Sequence, residues 1–170
     1  MSPRARPRPT RRILPGAILC ALLTPPCPAA PPEVIPSLPK PQADYLLNCG
    51  GCHGLNGLSN GRLVPDLQSQ IGYFLRLHEG REYLVRLPNV AFSAMSDEEL
   101  AAVLNFIVFQ IGGTGVPGDA ARYSAAEVAA LRRRPLNEVS LTEYRGRLVE
   151  TLIRRYGAPA GLRSYGNDRH

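Results

Sequence analysis

Asn48 to Gly54 reads NCGGCHG: two cysteines three residues apart, with a histidine directly after the second. On a helical turn, Cys49, Cys52 and His53 stand at i, i+3 and i+4 and share one face. Three chemistries use such a cluster. A structural zinc site needs four ligands; these residues supply three, and no second pair downstream closes the set. A thioredoxin-like dithiol opens a helix inside a βαβ pattern, and strand signals are few here. Covalent haem attachment requires what is present. Two thiols add to the porphyrin vinyl groups, and the imidazole of His53 reaches the iron from one side. Gly50 and Gly51 keep the backbone slim beside the macrocycle. The motif predicts one covalently attached haem c, with Cys49 and Cys52 as thioether anchors and His53 as proximal iron ligand.

The rest of the chain removes rivals to that reading. Met1 to Arg12 is basic and free of acids; the apolar run Ile13 to Leu23 (ILPGAILCALL) and then TPPCPAA follow. This is the order of a secretory signal peptide, expected over residues 1–30 with a cut near Ala29 or Ala30. The apolar run is too short to span a bilayer well, so no membrane span is expected in the mature chain. Cys20 and Cys27 leave with the signal, so the mature protein keeps Cys49 and Cys52, and one adjacent pair cannot staple a fold in an oxidising compartment. Export to a bacterial periplasm is the expectation. Of 20 basic residues, five lie in the signal, and none of the 14 acids does, leaving 15 against 14. The high pI therefore belongs to the export signal, and no nucleic-acid partner is inferred.

Residues 31–41 are proline-rich and read as an extended leader. A helix is expected from near Gln42 through ADYLLNC, then loop over Asn56 to Gly61. Two helical pieces follow, near Ile71 to Leu77 and Glu82 to Leu87, separated by Gly80 and stopped at Pro88. The strongest helix signal is SDEELAAVLNFIVFQI. Ser96 and Glu99 form a capping box, Asp97 and Glu98 suit the positive helix start, and Gly112–Gly113 ends the run. Leu100, Val103, Leu104, Ile107 and Ile111 recur at helical spacing. After Gly118, Ser124/Glu127 and Ser140/Glu143 repeat the capping-box spacing. The second of these helices places Leu141, Tyr144, Leu148, Leu152 and Tyr156 on one stripe. Residues 118–170 carry ten arginines against six acids. That extension is read either as a docking element or as two helices covering the surface, with Arg132 to Arg134 as a solvated helix end and frayed chain from Gly157 onward.

Over about residues 42–111, the segments YLLNCGGCHGLNG, VPDL, REYLVRLP and SDEELAAVLNFI resemble, in order and spacing, small class I cytochromes c. The resemblance implies an all-α, cytochrome c-like fold over residues 42–117, with N- and C-terminal helices crossing beside a haem crevice and the helical extension 118–170 appended. It implies that Tyr45 or Leu46 meets Leu104 or Phe106 at the crossing. It further implies that the Pro65 carbonyl takes the Nδ1 hydrogen of His53 and that Leu67 lines the pocket.

The second axial ligand stays open. Family members usually carry a methionine several residues before the start of this last helix. Met95 instead touches the N-cap, where a leucine is expected; it is either the axial ligand or a core residue plugging the helix start. His78 is the next candidate, and a five-coordinate iron is the third possibility. The function implied is single-electron transfer, Fe(II) to Fe(III), without enzymatic activity. Its donor would be a dehydrogenase and its acceptor an oxidase or another cytochrome. The alternative is a five-coordinate haem protein that binds peroxide, nitric oxide or carbon monoxide. Peroxidase-like activity would then want a distal His or Arg, for which Arg86 is the candidate if its helix faces the pocket.

Overall fold

The computed structural model describes residues 37–59 and 64–164; the expected signal peptide, most of the proline-rich leader, residues 60–63 and the last six residues lie outside them. The fold is all-α and cytochrome c-like, with no strand among the described residues. Helix α1 spans Lys40–Asn48 and the single turn α2 Gly50–His53; after a 3-10 helix over Ile71–Arg76 come α3, His78–Arg86, and the short α4, Pro88–Ala91. Helix α5, Asp97–Phe106, continues into a π turn over Ile107–Ile111, and α6, Ala125–Arg132, and α7, Leu141–Tyr156, complete the set. Residues 37 to 164 belong to one compact unit.

Helix α1 begins two residues before Gln42, with proline in its first turn, where a missing N–H breaks no intrahelical bond. It packs across α5. The contact is centred on Tyr45, fully buried, whose ring lies 5.7 Å from that of Phe106 at 51°. The Tyr45 hydroxyl donates to the Gly54 carbonyl at 2.7 Å. Tyr45→Phe keeps the packing and orphans that buried carbonyl, so a loss of about 1 kcal/mol is expected in chemical denaturation.

Helix α5 starts as its capping box dictates: Glu99 N–H donates to Ser96 Oγ at 3.2 Å, and Ser96 N–H to Glu99 Oε2 at 3.0 Å. Leu100, Val103, Leu104 and Ile107 are buried, which is the apolar stripe turned to the core.

One expectation about the middle of the chain changes and another gains a detail. Gly80 does not separate helical pieces; it lies inside α3, buried. A Cβ there would stand 2.3 Å from the Phe74 carbonyl oxygen, so glycine lets α3 lie directly against the 3-10 helix. Helix α3 ends at Arg86, before Pro88, as expected, but Pro88 has a second role. It opens α4, where a first-turn proline is favoured.

The extension shares one core with the rest of the unit rather than lying over its surface. Helices α6 and α7 start at Ser124 and Ser140, whose hydroxyls accept from Glu127 N–H and Glu143 N–H. The Glu127 side chain is turned elsewhere: it clasps Arg81 of α3 through two bonds of 2.6 and 2.8 Å. Arg81 in turn stacks over Tyr123 at 4.0 Å, and Tyr123 donates its hydroxyl proton to the Arg81 carbonyl. Tyr144 of α7 stacks on Tyr83 of α3 at 5.9 Å, and Tyr83 stacks on Phe74 at 5.5 Å. The chain after Gly157 is not frayed over its described part. Gly157 and Ala158 N–H groups cap α7 by bonding the Ile153 and Leu152 carbonyls, and Leu162 is fully buried.

Candidate haem site

The cysteine–histidine turn is built by the end of α1. Cys49 N–H still bonds the Tyr45 carbonyl at 2.8 Å, and one further turn, α2, is closed by His53 N–H on the Cys49 carbonyl at 3.0 Å. The chain then reverses. Gly57, at φ +83, turns its carbonyl to accept both Leu67 N–H and Gln68 N–H, at 2.8 and 3.0 Å. A side chain there would meet the Ile111 side chain at 2.4 Å in addition to the backbone strain. Asp66 Oδ1 accepts from both the N–H and the hydroxyl of Ser59.

This returning loop brings the Pro65 carbonyl oxygen to 3.0 Å from His53 Nδ1. Burial lowers the His53 pKa, opposed by the Pro65 bond and by Asp66, so the ring is neutral at pH 7. A neutral ring that donates from Nδ1 has its lone pair on Nε2, the form in which imidazole binds a metal.

Cys49 is half-buried, and its thiol is pushed up to about 11, first by burial and then by Cys52. Cys52 is exposed and both thiols are free. A raised thiol is the reverse of an activated redox cysteine. No group of three or more His, Cys, Asp or Glu side chains able to hold a metal ion by themselves occurs among the described residues.

Cys49, His53, Pro65 and Leu67 lie together on the wall of a cavity of about 310 Å³. Ile71 and Phe74 come from the 3-10 helix, Tyr83, Leu84 and Leu87 from α3 and its end, Asn89 and Val90 from α4, and Leu104 and Ile107 from the α5 segment. Cys52, Met95, His78 and Arg86 are not among the lining residues. Met95 is partly buried against the core beside the start of α5. The side chain of His78 is 81% exposed, 3.4 Å from Glu82. Arg86 donates to the Arg134 carbonyl and to Glu82.

The extension adds Leu141, Thr142 and Arg145 of α7 to the same cavity. Arg145 is only 4% exposed, donates to the Leu162 carbonyl at 2.8 Å, and holds its guanidinium 5.7 Å from the Phe74 ring centroid. A signal for it did exist in the sequence. Leu141, Arg145, Leu148 and Leu152 follow helical spacing, so this arginine stands on the apolar stripe. Nothing comparable marked Asn89.

The loop that carries α4 into α5 is held from the extension. Arg132 donates to the carbonyls of Ala91 (2.8 Å), Ser93 (2.6 Å) and Met95 (2.9 Å) and to Asp97 Oδ1 (2.9 Å). It is therefore no solvated helix end. Arg132→Ala is expected to cost about 2 kcal/mol, since charged hydrogen bonds are worth roughly 1.5–3 kcal/mol and water replaces part of them at this partly exposed position. Arg132→Lys should recover little, because a single ammonium cannot span four acceptors as the planar fork does. Urea denaturation midpoints of the two variants measure both effects.

The donor set fits a covalently anchored haem: apolar walls for the macrocycle, a neutral imidazole for the iron, two free thiols at the attachment spacing, and a buried cation. The all-α fold, with this turn on the wall of an apolar crevice, is cytochrome c-like. Two curated proteins are similar to the chain at that level. Cytochrome c-552 of Thermus thermophilus is 28% identical over 62% of this chain and 95% of its own length. A second cytochrome c-552, also from Thermus thermophilus, is likewise 28% identical over 62% of this chain, with 84% of its own length covered. No family model matches the chain, and no solved structure matches it.

Proposed function

We propose that the protein is an exported c-type cytochrome that carries one covalent haem c and passes single electrons between redox partners. The observation that carries this reading is the turn from Cys49 to His53, set on the wall of an apolar cavity with His53 Nδ1 on the Pro65 carbonyl. Cys49 and Cys52 would hold the haem, and His53 Nε2 would hold its iron. Arg145 supplies a positive charge for the acidic edge of the group. When bound, the haem supplies a one-electron couple, and the protein tunes it by burial and by axial ligation. The similarity to cytochrome c-552 supports the same reading. No helix among the described residues is long and apolar enough to cross a membrane.

Partner proteins would meet the surface around Cys52, where Leu47 and Leu55 are 84% and 79% exposed. A donor dehydrogenase and an acceptor oxidase or cytochrome are the classes expected there. The basic extension is the weaker docking surface, since four of its arginines are engaged within the chain: Arg132 with Asp97, Arg134 with Glu82, Arg147 with Glu138 and Arg163 with Glu150.

Production of the full chain alongside a c-haem maturation system tests the reading. The product should show ferrous haem bands and keep its haem through acidified-solvent extraction. Cys49→Ser/Cys52→Ser should release it. A purified, matured protein without haem bands overturns the proposal.

A further inference from the structure

We propose that the iron of the haem assigned above has an open second axial position beside Asn89, at which a neutral diatomic ligand, carbon monoxide or nitric oxide, binds the ferrous state. The inference rests on the haem reading and deepens it. A six-coordinate haem needs a second strong donor, usually a thioether or an imidazole. Among the described residues lining the cavity, the one imidazole is that of His53 and the one sulfur is that of Cys49.

The candidates for that second donor are placed elsewhere. Met95 packs partly buried at the α5 start, and the Arg132 fork grips its carbonyl along with those of Ala91 and Ser93. That grip holds the loop in the register that puts Asn89 and Val90, rather than Met95, on the cavity wall. His78 points into solvent beside Glu82. Tyr83 does line the cavity, but its ring is held in a stack between Phe74 and Tyr144, at 5.5 and 5.9 Å.

What α4 offers at this wall suits a diatomic ligand. Asn89 carries an amide N–H₂ that can donate to the outer atom of a bound molecule, while its own oxygen is a weak ligand for haem iron. Val90 beside it is apolar. Asn89 is exposed as well as cavity-lining, so a small ligand has a way in from solvent. The α4 wall offers one neutral donor, and the cavity's cation, Arg145, is assigned to the acidic edge of the haem, so this wall favours uncharged ligands over anions, whose desolvation it does not repay. Back-donation from ferrous iron supplies the bond; binding transfers no atom and needs no co-reactant.

The test is a carbon monoxide titration of the dithionite-reduced, haem-loaded full chain, read by the Soret band and by the C–O stretch. Binding should be saturable, and Asn89→Leu should weaken it roughly tenfold, the equivalent of one hydrogen bond, and shift the C–O stretch. Met95→Leu should leave the ferric spectrum and the affinity unchanged. The proposal is overturned if the reduced protein is six-coordinate and ignores carbon monoxide. Loss of a near-red ferric band in Met95→Leu, which would mark a methionine ligand, also overturns it. So does an Asn89→Leu protein indistinguishable from the parent. A product lacking haem altogether would instead count against the underlying cytochrome reading, so the two failures are separable.

Discussion

Deleting residues 119–170 is expected to abolish folding of the whole unit rather than trim an appendage. Val128, Leu131, Leu148, Val149, Leu152 and Leu162 are all buried, and they share one core with Phe74, Tyr83, Leu100 and Val103. Each such side chain contributes about 1.5–3 kcal/mol by leaving water. Even discounted for a compact unfolded chain, their sum rivals the roughly 5–15 kcal/mol by which a domain this size is stable. Polar fastenings would go too: the Arg81–Glu127 pair, the Asn105 side chain that bonds both N–H and carbonyl of Tyr123, and the Arg132 fork. The truncated chain should show no cooperative thermal transition by circular dichroism and retain no native haem spectrum. A shortened protein that melts cooperatively would mean that the extension is merely attached.

Gly80→Ala is expected to cost about 3 kcal/mol, although alanine in a helix interior normally gains about 1 kcal/mol over glycine. The sign reverses because the new Cβ would stand 2.3 Å from the Phe74 carbonyl oxygen and 3.1 Å from its carbon, and a backbone group cannot swing aside. Relief requires α3 to move off the 3-10 helix. Since α3 and its end carry Tyr83, Leu84 and Leu87 to the cavity, the movement should also loosen the haem site. A lowered urea midpoint together with a broadened Soret band is the expected result. A midpoint at or above that of the parent would show that the two elements part without penalty.

Gly80 illustrates what sequence patterning misses. As a residue it reads as a helix breaker; only the proximity of Phe74 shows it to be the condition for a helix. Pro88 is similar, a stop by itself and a helix start once Leu87 turns the chain. Arg132 reads as one of three arginines at a helix end, and its four acceptors lie 35 to 41 residues away in sequence. By contrast, the start of α5 was fully legible, because a capping box is completed within four consecutive residues. A crossing of Tyr45 or Leu46 on Leu104 or Phe106 was legible only through the resemblance, and the structure selects Tyr45 on Phe106.

By itself the sequence determined the local chemistry: a helical turn bearing two thiols and an imidazole, helix starts at Ser96, Ser124 and Ser140, and an all-α chain. These depend on bonds and spacings within about one turn of helix, which neighbouring residues specify without reference to the rest. Only the tertiary structure decided what faces the cavity besides that turn. Asn89 stands there and Met95 does not, and Arg145 arrives from the last long helix. Those placements follow from how helices cross and from which carbonyls a distant arginine grips, and no periodicity along the chain encodes them.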